Sequence, residues 1–390
     1  MLLKEVHARK IKDSRKEQTI EVEINKCRAS APSGKSTGKY ETPPYYKSLD
    51  WNINFLNNIN FNLEINSFTD LKKLESSIKK KLKLKDIKKF GANALVALEL
   101  SALKALAKEK NKQLWQIINP KAGKFPVPVG NAIGGGIHSH NKTKPVFQEF
   151  LIISKTKSPK KNYAIMRKTY EKIKSVVRAK RKNDEGAWET KLSDERVFLL
   201  LSKFVKIKFG TDMAASEFHK KSFYAYKKKS LPREAQISYV NELIKEFNLF
   251  YIEDPLQEED FSGFSKINRS PSHLVVGDDL TATQISRLKK AISKKSINAM
   301  IIKPNQNGSL LEVAEIFKLC KKHNIKTIIS HRSGETLDSA LADLAFGFRA
   351  DFIKAGISTK WREAKLKRLV EIEESLKKIP NRKRFTRLLT

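Results

Sequence analysis

Five apolar runs in the second half of this 390-residue chain each lead to a residue able to bind a metal or move a proton. The run through Phe204, Val205 and Ile207 leads to Asp212; Leu249, Phe250 and Ile252 lead to Glu253; Leu274, Val275 and Val276 lead to Asp278. Met300, Ile301 and Ile302 lead to Lys303, and Phe352 and Ile353 lead to Lys354. Most of these stops stand about 25 residues apart, or roughly twice that, which leaves room for one strand and a returning helix each time. Polar residues at the C-terminal ends of successive parallel strands are where an α/β barrel keeps its chemistry. Three carboxylates and two lysines there describe a divalent-metal site beside a cationic base.

Length and composition allow such a fold. The chain can hold a barrel of typical size plus one smaller domain, and its 40% hydrophobic content is enough for a buried core. No apolar stretch is long enough to span a bilayer. The start, MLLKEVHARK, lacks the apolar region and small-residue cleavage site of a secretory signal. Cys27 and Cys320 lie far apart, so a disulfide framework is not expected and a reducing cytoplasm is. The formal net charge of +36 would ordinarily suggest a polyanion partner. However, 61 lysines stand against 17 arginines, and the lysines run along the whole chain. Arginine is the better tool for specific phosphate contacts. The charge therefore reads as a dispersed, solvated surface, with at most weak, nonspecific nucleic-acid binding.

The chain divides near residue 125, giving an α+β N-terminal domain over 1–124 and a barrel over 125–390. Residues 18–25 alternate as a half-buried antiparallel strand, and a Gly/Ser loop follows from Pro32 to Gly38. Residues 68–86 read as a Lys-rich amphipathic helix and 91–110 as a strongly apolar helix buried on one broad face. KFPVPVGN opens the barrel. A Gly-rich loop (Gly134 to Gly136), a strand over 147–153 and a basic helix over 160–182 come next. Further helices are expected at 234–247, 283–295, 309–323 and 335–346, with a final basic helix from Leu366. Residues 29–36, ASAPSGKS, imitate a phosphate-binding P-loop. Yet the preceding strand alternates, whereas a strand inside a parallel sheet is apolar on both faces, and Pro32 removes a backbone donor from a loop that works through its N–H groups.

The segments DSRKEQTIEVE, PSGKSTG, FGANALVALELSALKALA, HNKTKPVFQEF, NDEG, DMAASEF, IEDP, GDDLT, IIKPNQNGSL, SHRSGETLD and IKAG stand in the order of one family. The chain resembles enolase, whose members interconvert 2-phosphoglycerate and phosphoenolpyruvate. The likeness covers most of the chain outside residues 42–88. It implies an enolase-type (β/α)8 barrel behind a smaller capping domain, a homodimer, and Mg²⁺ as cofactor. Removing the proton beside a carboxylate creates a dianionic intermediate whose charge must be neutralised where it develops. Asp212, Glu253 and Asp278 supply hard oxygen ligands for Mg²⁺.

Lys303 is the expected base, its pKa lowered by burial, Mg²⁺ and a second lysine. That second lysine, Lys354, is expected to hold the substrate carboxylate and stabilise the intermediate. A lysine base beside one or two Mg²⁺ ions is the scheme general to enolase-superfamily sites, and it comes with the resemblance. The resemblance further implies Glu185 as the acid for the departing hydroxyl and Glu149 as its carboxylate partner, one of the two staying protonated near neutral pH. It places His140 and Gln148 around the substrate, His331, Arg332 and Ser333 at its phosphate, and Ser36 on a second Mg²⁺ that arrives with substrate. His138 has no implied role and reads as a surface histidine.

Several positions depart from the family pattern. Gly-Gly after the acid is Gly186-Ala187, followed by Trp188, and Asn183 replaces the Gly before it. The Arg-containing segment after Lys354 reads Lys360-Trp361-Arg362-Glu363, and Lys16-Glu17-Gln18 stands where Gly-Asn-Pro is common. The competing expectations are an enolase-fold enzyme for another 2-hydroxy or amino acid, and an inactive relative that binds nucleic acid or protein. The phosphate set argues against the first and the full acid, base and metal set against the second.

Overall fold

The computed structural model describes residues 1–35, 38–268, Ser270 and 272–378. Its N-terminal part is an antiparallel meander of the strands Val6–Lys12, Gln18–Ile24 and Cys27–Ser30. Ile20, Val22 and Ile24 point into the core, as the alternation requires, while Glu21 and Glu23 remain partly exposed. This meander is antiparallel throughout, which removes the parallel-sheet context that a P-loop needs. The helix Ala92–Glu109 covers it. Every residue from Ala92 to Ala107 except Lys104 is buried, because the helix lies between the meander and the barrel. A helix apolar nearly all round fits that sandwiched position better than one broad buried face.

Eight strands close the barrel: Val127–Gly134, Glu149–Ile153, Lys208–Asp212, Tyr251–Glu253, Leu274–Gly277, Ala299–Ile302, Lys326–Ser330 and Phe352–Lys354, the last pairing with the first. Alternation along the strands fills two cores. Tyr251, Val276, Ile301 and Ile328 pack inside the barrel, whereas Ile252, Val275, Ile302 and Ile329 pack outward against the helices. One strand runs against the expected parallel order. Glu149–Ile153 is antiparallel to both neighbours, because only the loop from Gly135 to Gln148 joins it to the first strand and no crossover helix intervenes. Its first residue, not its last, therefore reaches the catalytic rim, and Glu149 stands in register with Asp212.

Some element boundaries differ from the sequence reading. Phe204 belongs to the helix Asp194–Phe204, capped by Ser193, and the strand to Asp212 starts only at Lys208. The helix expected at 335–346 starts at Ala340. The residues before it are tied down instead: Asp338 accepts from Ser30 N at 2.9 Å and Ala340 N at 2.9 Å, and pairs with Lys104 at 2.8 Å. The basic helix ends at Val176, freeing Arg181 to pair with Glu189 at 2.5 Å. The helix expected over 68–86 is a 3₁₀ turn at Phe68–Asp70 followed by Leu71–Leu82. Among the described residues, no helix is long and apolar enough to cross a membrane.

Candidate active site

A polar cavity of about 70 Å³ opens at the barrel rim where the strand ends meet the loop from the N-terminal part. Backbone pairing stitches that loop down: Ser33 N donates to Gly334 O at 2.7 Å and Gly334 N to Ser33 O at 2.9 Å. Lys35 N donates to Ser333 Oγ at 2.7 Å. Ser36, expected on the second metal, lies outside the described residues.

Asp212, Glu253 and Lys354 end their strands, and Asp278 and Lys303 follow theirs by one residue. Register sets Asp212 beside both Glu149 and Glu253. The Lys354 ammonium lies 2.8 Å from Glu149 Oε2, 3.0 Å from Asp212 Oδ2 and 2.9 Å from Glu253 Oε2. Burial works against its charge, but Asp212, Glu149 and Glu253 outweigh it and hold the pKa well above the ordinary lysine value. Lys354 is thus engaged by three protein carboxylates rather than left free for a substrate carboxylate. Burial raises Asp212 and Glu253, and the mutual repulsion of neighbouring carboxylates adds to it. Glu253 also accepts from Tyr251 Oη at 2.7 Å.

Lys303 forms an ion pair with Asp278. Burial, Arg332 and Lys354 lower the Lys303 pKa, but Asp278, when not engaged by a metal, overcomes them and raises it. Asp278 in turn is held down: burial raises it, and Lys303 and Lys354 more than offset that.

Of the three carboxylates inferred as ligands from the strand ends, Asp278 also belongs to a second acidic group. The carboxylate oxygens within 4.8 Å of one another among the described residues belong to Asp254, Asp278 and Asp279. Asp212 and Glu253 meet Lys354. Asp254 is already spoken for in part, accepting from Asp278 N at 3.0 Å and Asp279 N at 2.7 Å. All five are hard oxygen donors, buried or nearly so, with excess negative charge among them. That chemistry fits a divalent cation of the Mg²⁺ class.

Glu149 and Glu185 both line the cavity, close enough for each to shift the other's pKa. Burial pushes Glu149 up to about 7, with Glu185 adding to it. Burial also raises Glu185, but Glu149, Arg362 and Lys354 leave it lowered. The pair thus keeps one proton near neutral pH, centred on Glu149. Asn131 Nδ2 donates to Glu185 Oε2 at 3.2 Å. The unusual Asn183 shapes the acid loop through its Oδ1, which accepts from Glu185 N at 3.1 Å and Ala187 N at 2.9 Å. Trp188 stacks on Tyr170 at 4.9 Å, and Tyr170 Oη donates to Gly186 O at 2.5 Å. Gly186 sits at φ +80°, where a Cβ would meet Thr359 at 2.6 Å, so glycine is required at this one position of the pair.

The two histidines exchange their expected places. His140 is half-exposed, with Nδ1 2.8 Å from Glu189 Oε1, and does not line the cavity. His138 does line it, at 5% exposure, with Nδ1 unpartnered. The turn through Gly136, at φ +48°, into the short helix Gly136–His138 places the ring inside. The glycine run just before His138 was the available signal. Burial lowers its pKa, which favours the neutral ring.

Gln148, His331, Arg332 and Ser333 all line the cavity. Sequence reasoning missed Glu41, whose carboxylate lies 2.8 Å from Arg332 Nη2 with both side chains buried. It follows the described end of the Ser loop and carries no local signal.

Comparison with known proteins matches residues 3–118 to the family described as enolase, N-terminal domain, and residues 122–383 to enolase, C-terminal TIM barrel domain. The enolase of Archaeoglobus fulgidus is 34% identical over 97% of this chain and 98% of its own length. Those of Methanocorpusculum labreanum and Thermoplasma acidophilum are each 35% identical, covering 95% and 96% of this chain and 99% and 98% of their own.

Proposed function

The chain belongs to the enolase family, and from that we propose a Mg²⁺-dependent phosphopyruvate hydratase interconverting 2-phosphoglycerate and phosphoenolpyruvate, with residues 1–124 as its cap and 125–390 as its catalytic barrel. The observation that carries this reading is the meeting of Lys303, Lys354, the Glu149–Glu185 pair and the His331–Arg332–Ser333 run around one acidic cavity.

Lys303 takes the C2 proton of 2-phosphoglycerate at Nζ. Asp212, Glu253 and Asp278 would hold the first Mg²⁺ and Ser36 a second that comes with substrate. A bound metal would supply counter-charge for the dianionic intermediate, and Asp278, once engaged as its ligand, would no longer raise the pKa of Lys303. Lys354 stays charged throughout and supplies a fixed positive potential beside the developing charge. The Glu149–Glu185 pair delivers its single proton to the departing hydroxyl through Glu185, so water leaves rather than hydroxide. Arg332, His331 and Ser333 bind the phosphate, and Glu41 must give way or share Arg332 when that anion arrives. His138 takes the place first assigned to His140 near the reacting atoms. A cytoplasmic homodimer with only loose, salt-sensitive affinity for nucleic acid completes the reading.

The test is the absorbance of phosphoenolpyruvate formed from 2-phosphoglycerate, with Mg²⁺ and with excess chelator. Product with Mg²⁺ and none with chelator is expected; no product under any metal condition would sink the proposal.

A further inference from the structure

Arg362, in the segment that departs from the family pattern, has no role in the reaction as written above. It lies in the first turn of the helix Lys360–Lys377, whose capping residue Thr359 accepts from its backbone N at 3.4 Å. Its side chain is among the most completely buried in the protein, at 1% exposure. Nη1 lies 2.6 Å from His331 Nδ1 and 2.5 Å from Arg332 O, and Nη2 lies 2.9 Å from Ser333 O. One fork thus grips three consecutive residues of the proposed phosphate site. Gly356, at φ +72°, lets the aliphatic stem pass; a Cβ there would stand 3.1 Å from Arg362 Cγ.

A guanidinium has only N–H donors and no lone pair to offer. His331 Nδ1 must therefore accept, and the ring's proton must sit on Nε2. We propose that Arg362 is a positioning residue that locks His331 as a neutral Nε2–H donor to the bound anion and fixes the backbone of Arg332 and Ser333. The surroundings agree with a neutral ring. Burial disfavours the imidazolium first, and Arg362, Lys354, Lys303 and Lys365 disfavour it further, although Lys365 pairs with Glu335, Lys303 with Asp278, and Lys354 with Glu149, Asp212 and Glu253. His331 N also donates to Lys354 O at 2.9 Å, which ties the ring's backbone to the last barrel strand. The identity of the anion rests on the proposed reaction; the tautomer does not.

The experiment is long-range ¹H–¹⁵N correlation of ¹⁵N-histidine in the full chain, with His331 assigned by loss of its signals in His331→Asn. The unaltered protein is expected to show His331 as the Nε2–H tautomer from pH 8 to pH 6. Arg362→Met should release the tautomer and raise KM for 2-phosphoglycerate about 10- to 100-fold, the range seen when a supporting partner of a site residue is removed. Arg362→Lys should recover part of both. An Nδ1–H or doubly protonated His331 in the unaltered protein at pH 7 overturns the inference. So does a folded Arg362→Met that keeps both tautomer and KM. If Arg362→Met does not fold, the spectrum of the unaltered protein decides alone. Absent turnover with the Nε2–H signal intact would count against the reaction and not against this assignment.

Discussion

Replacing Lys354 by methionine tests the centre of the site most directly. The change keeps the length of the stem and removes the ammonium that meets Glu149, Asp212 and Glu253 at 2.8–3.0 Å. All four side chains are nearly or fully buried, so solvent cannot replace the lost partner. Breaking a buried pair by removing one member costs about 3–5 kcal/mol, because the other charge is left uncompensated. At roughly 2.1 cal/mol/K per residue, that lowers Tm by about 4–6 °C for a chain of this size. Protonation of the orphaned carboxylates is the available relief, and Asp212 and Glu253 already have raised pKa values. A carboxyl whose folded pKa lies above its unfolded value favours the folded state at low pH and loses that contribution as pH rises through the folded pKa. The deficit of Lys354→Met should therefore be largest at pH 8 and shrink toward pH 5. Saturating Mg²⁺ should raise the Tm of both proteins, since a ligand at 100 times its Kd adds about 2.7 kcal/mol to the state that binds it. The assay is thermal and urea unfolding of both proteins in chelator and in Mg²⁺ across that pH range. Equal Tm values at pH 8 in chelator would refute the account of Lys354 as the counter-charge of three carboxylates.

Lys303→Ala should abolish dehydration and stop exchange of the substrate C2 proton with deuterated solvent, with kcat falling far more than KM rises; continued exchange at the normal rate would remove Lys303 as the base. Glu185→Gln should block elimination yet permit C2 exchange, since Lys303 is untouched, and equal loss of both would count against this division. His138→Gln should lower kcat/KM by at least about tenfold, in line with a lost hydrogen bond to a charged group, while His140→Gln should change it little; steady-state kinetics of the pair decides between the two histidines. With +36 net charge and an anionic substrate, kcat/KM should fall with ionic strength while kcat holds, because salt screens beyond a Debye length of about 8–10 Å. A flat salt profile would argue against long-range steering.

Much of the site was legible in the sequence. Asp212, Glu253, Asp278, Lys303 and Lys354 stand out because a strand followed by a returning helix has a fixed length, so strand ends recur at a spacing that can be counted. The apolar helix Ala92–Glu109 and the alternating strand Gln18–Ile24 were visible for the same reason: side-chain periodicity is a local property. What the sequence could not decide were contacts between segments distant along the chain. Glu149 faces Asp212 only because its strand runs antiparallel to its neighbours. His138 rather than His140 enters the cavity because of how one glycine turn is wound. Asp278, the partner that raises the Lys303 pKa, lies 25 residues away in sequence yet directly against the ammonium. Glu41 meets Arg332 across 291 residues, and Arg362 reaches His331 from the far side of the last barrel strand. Periodicity is set by the geometry of a single strand or helix, whereas charge pairing depends on which carboxylate the closed barrel brings within 3 Å of which cation.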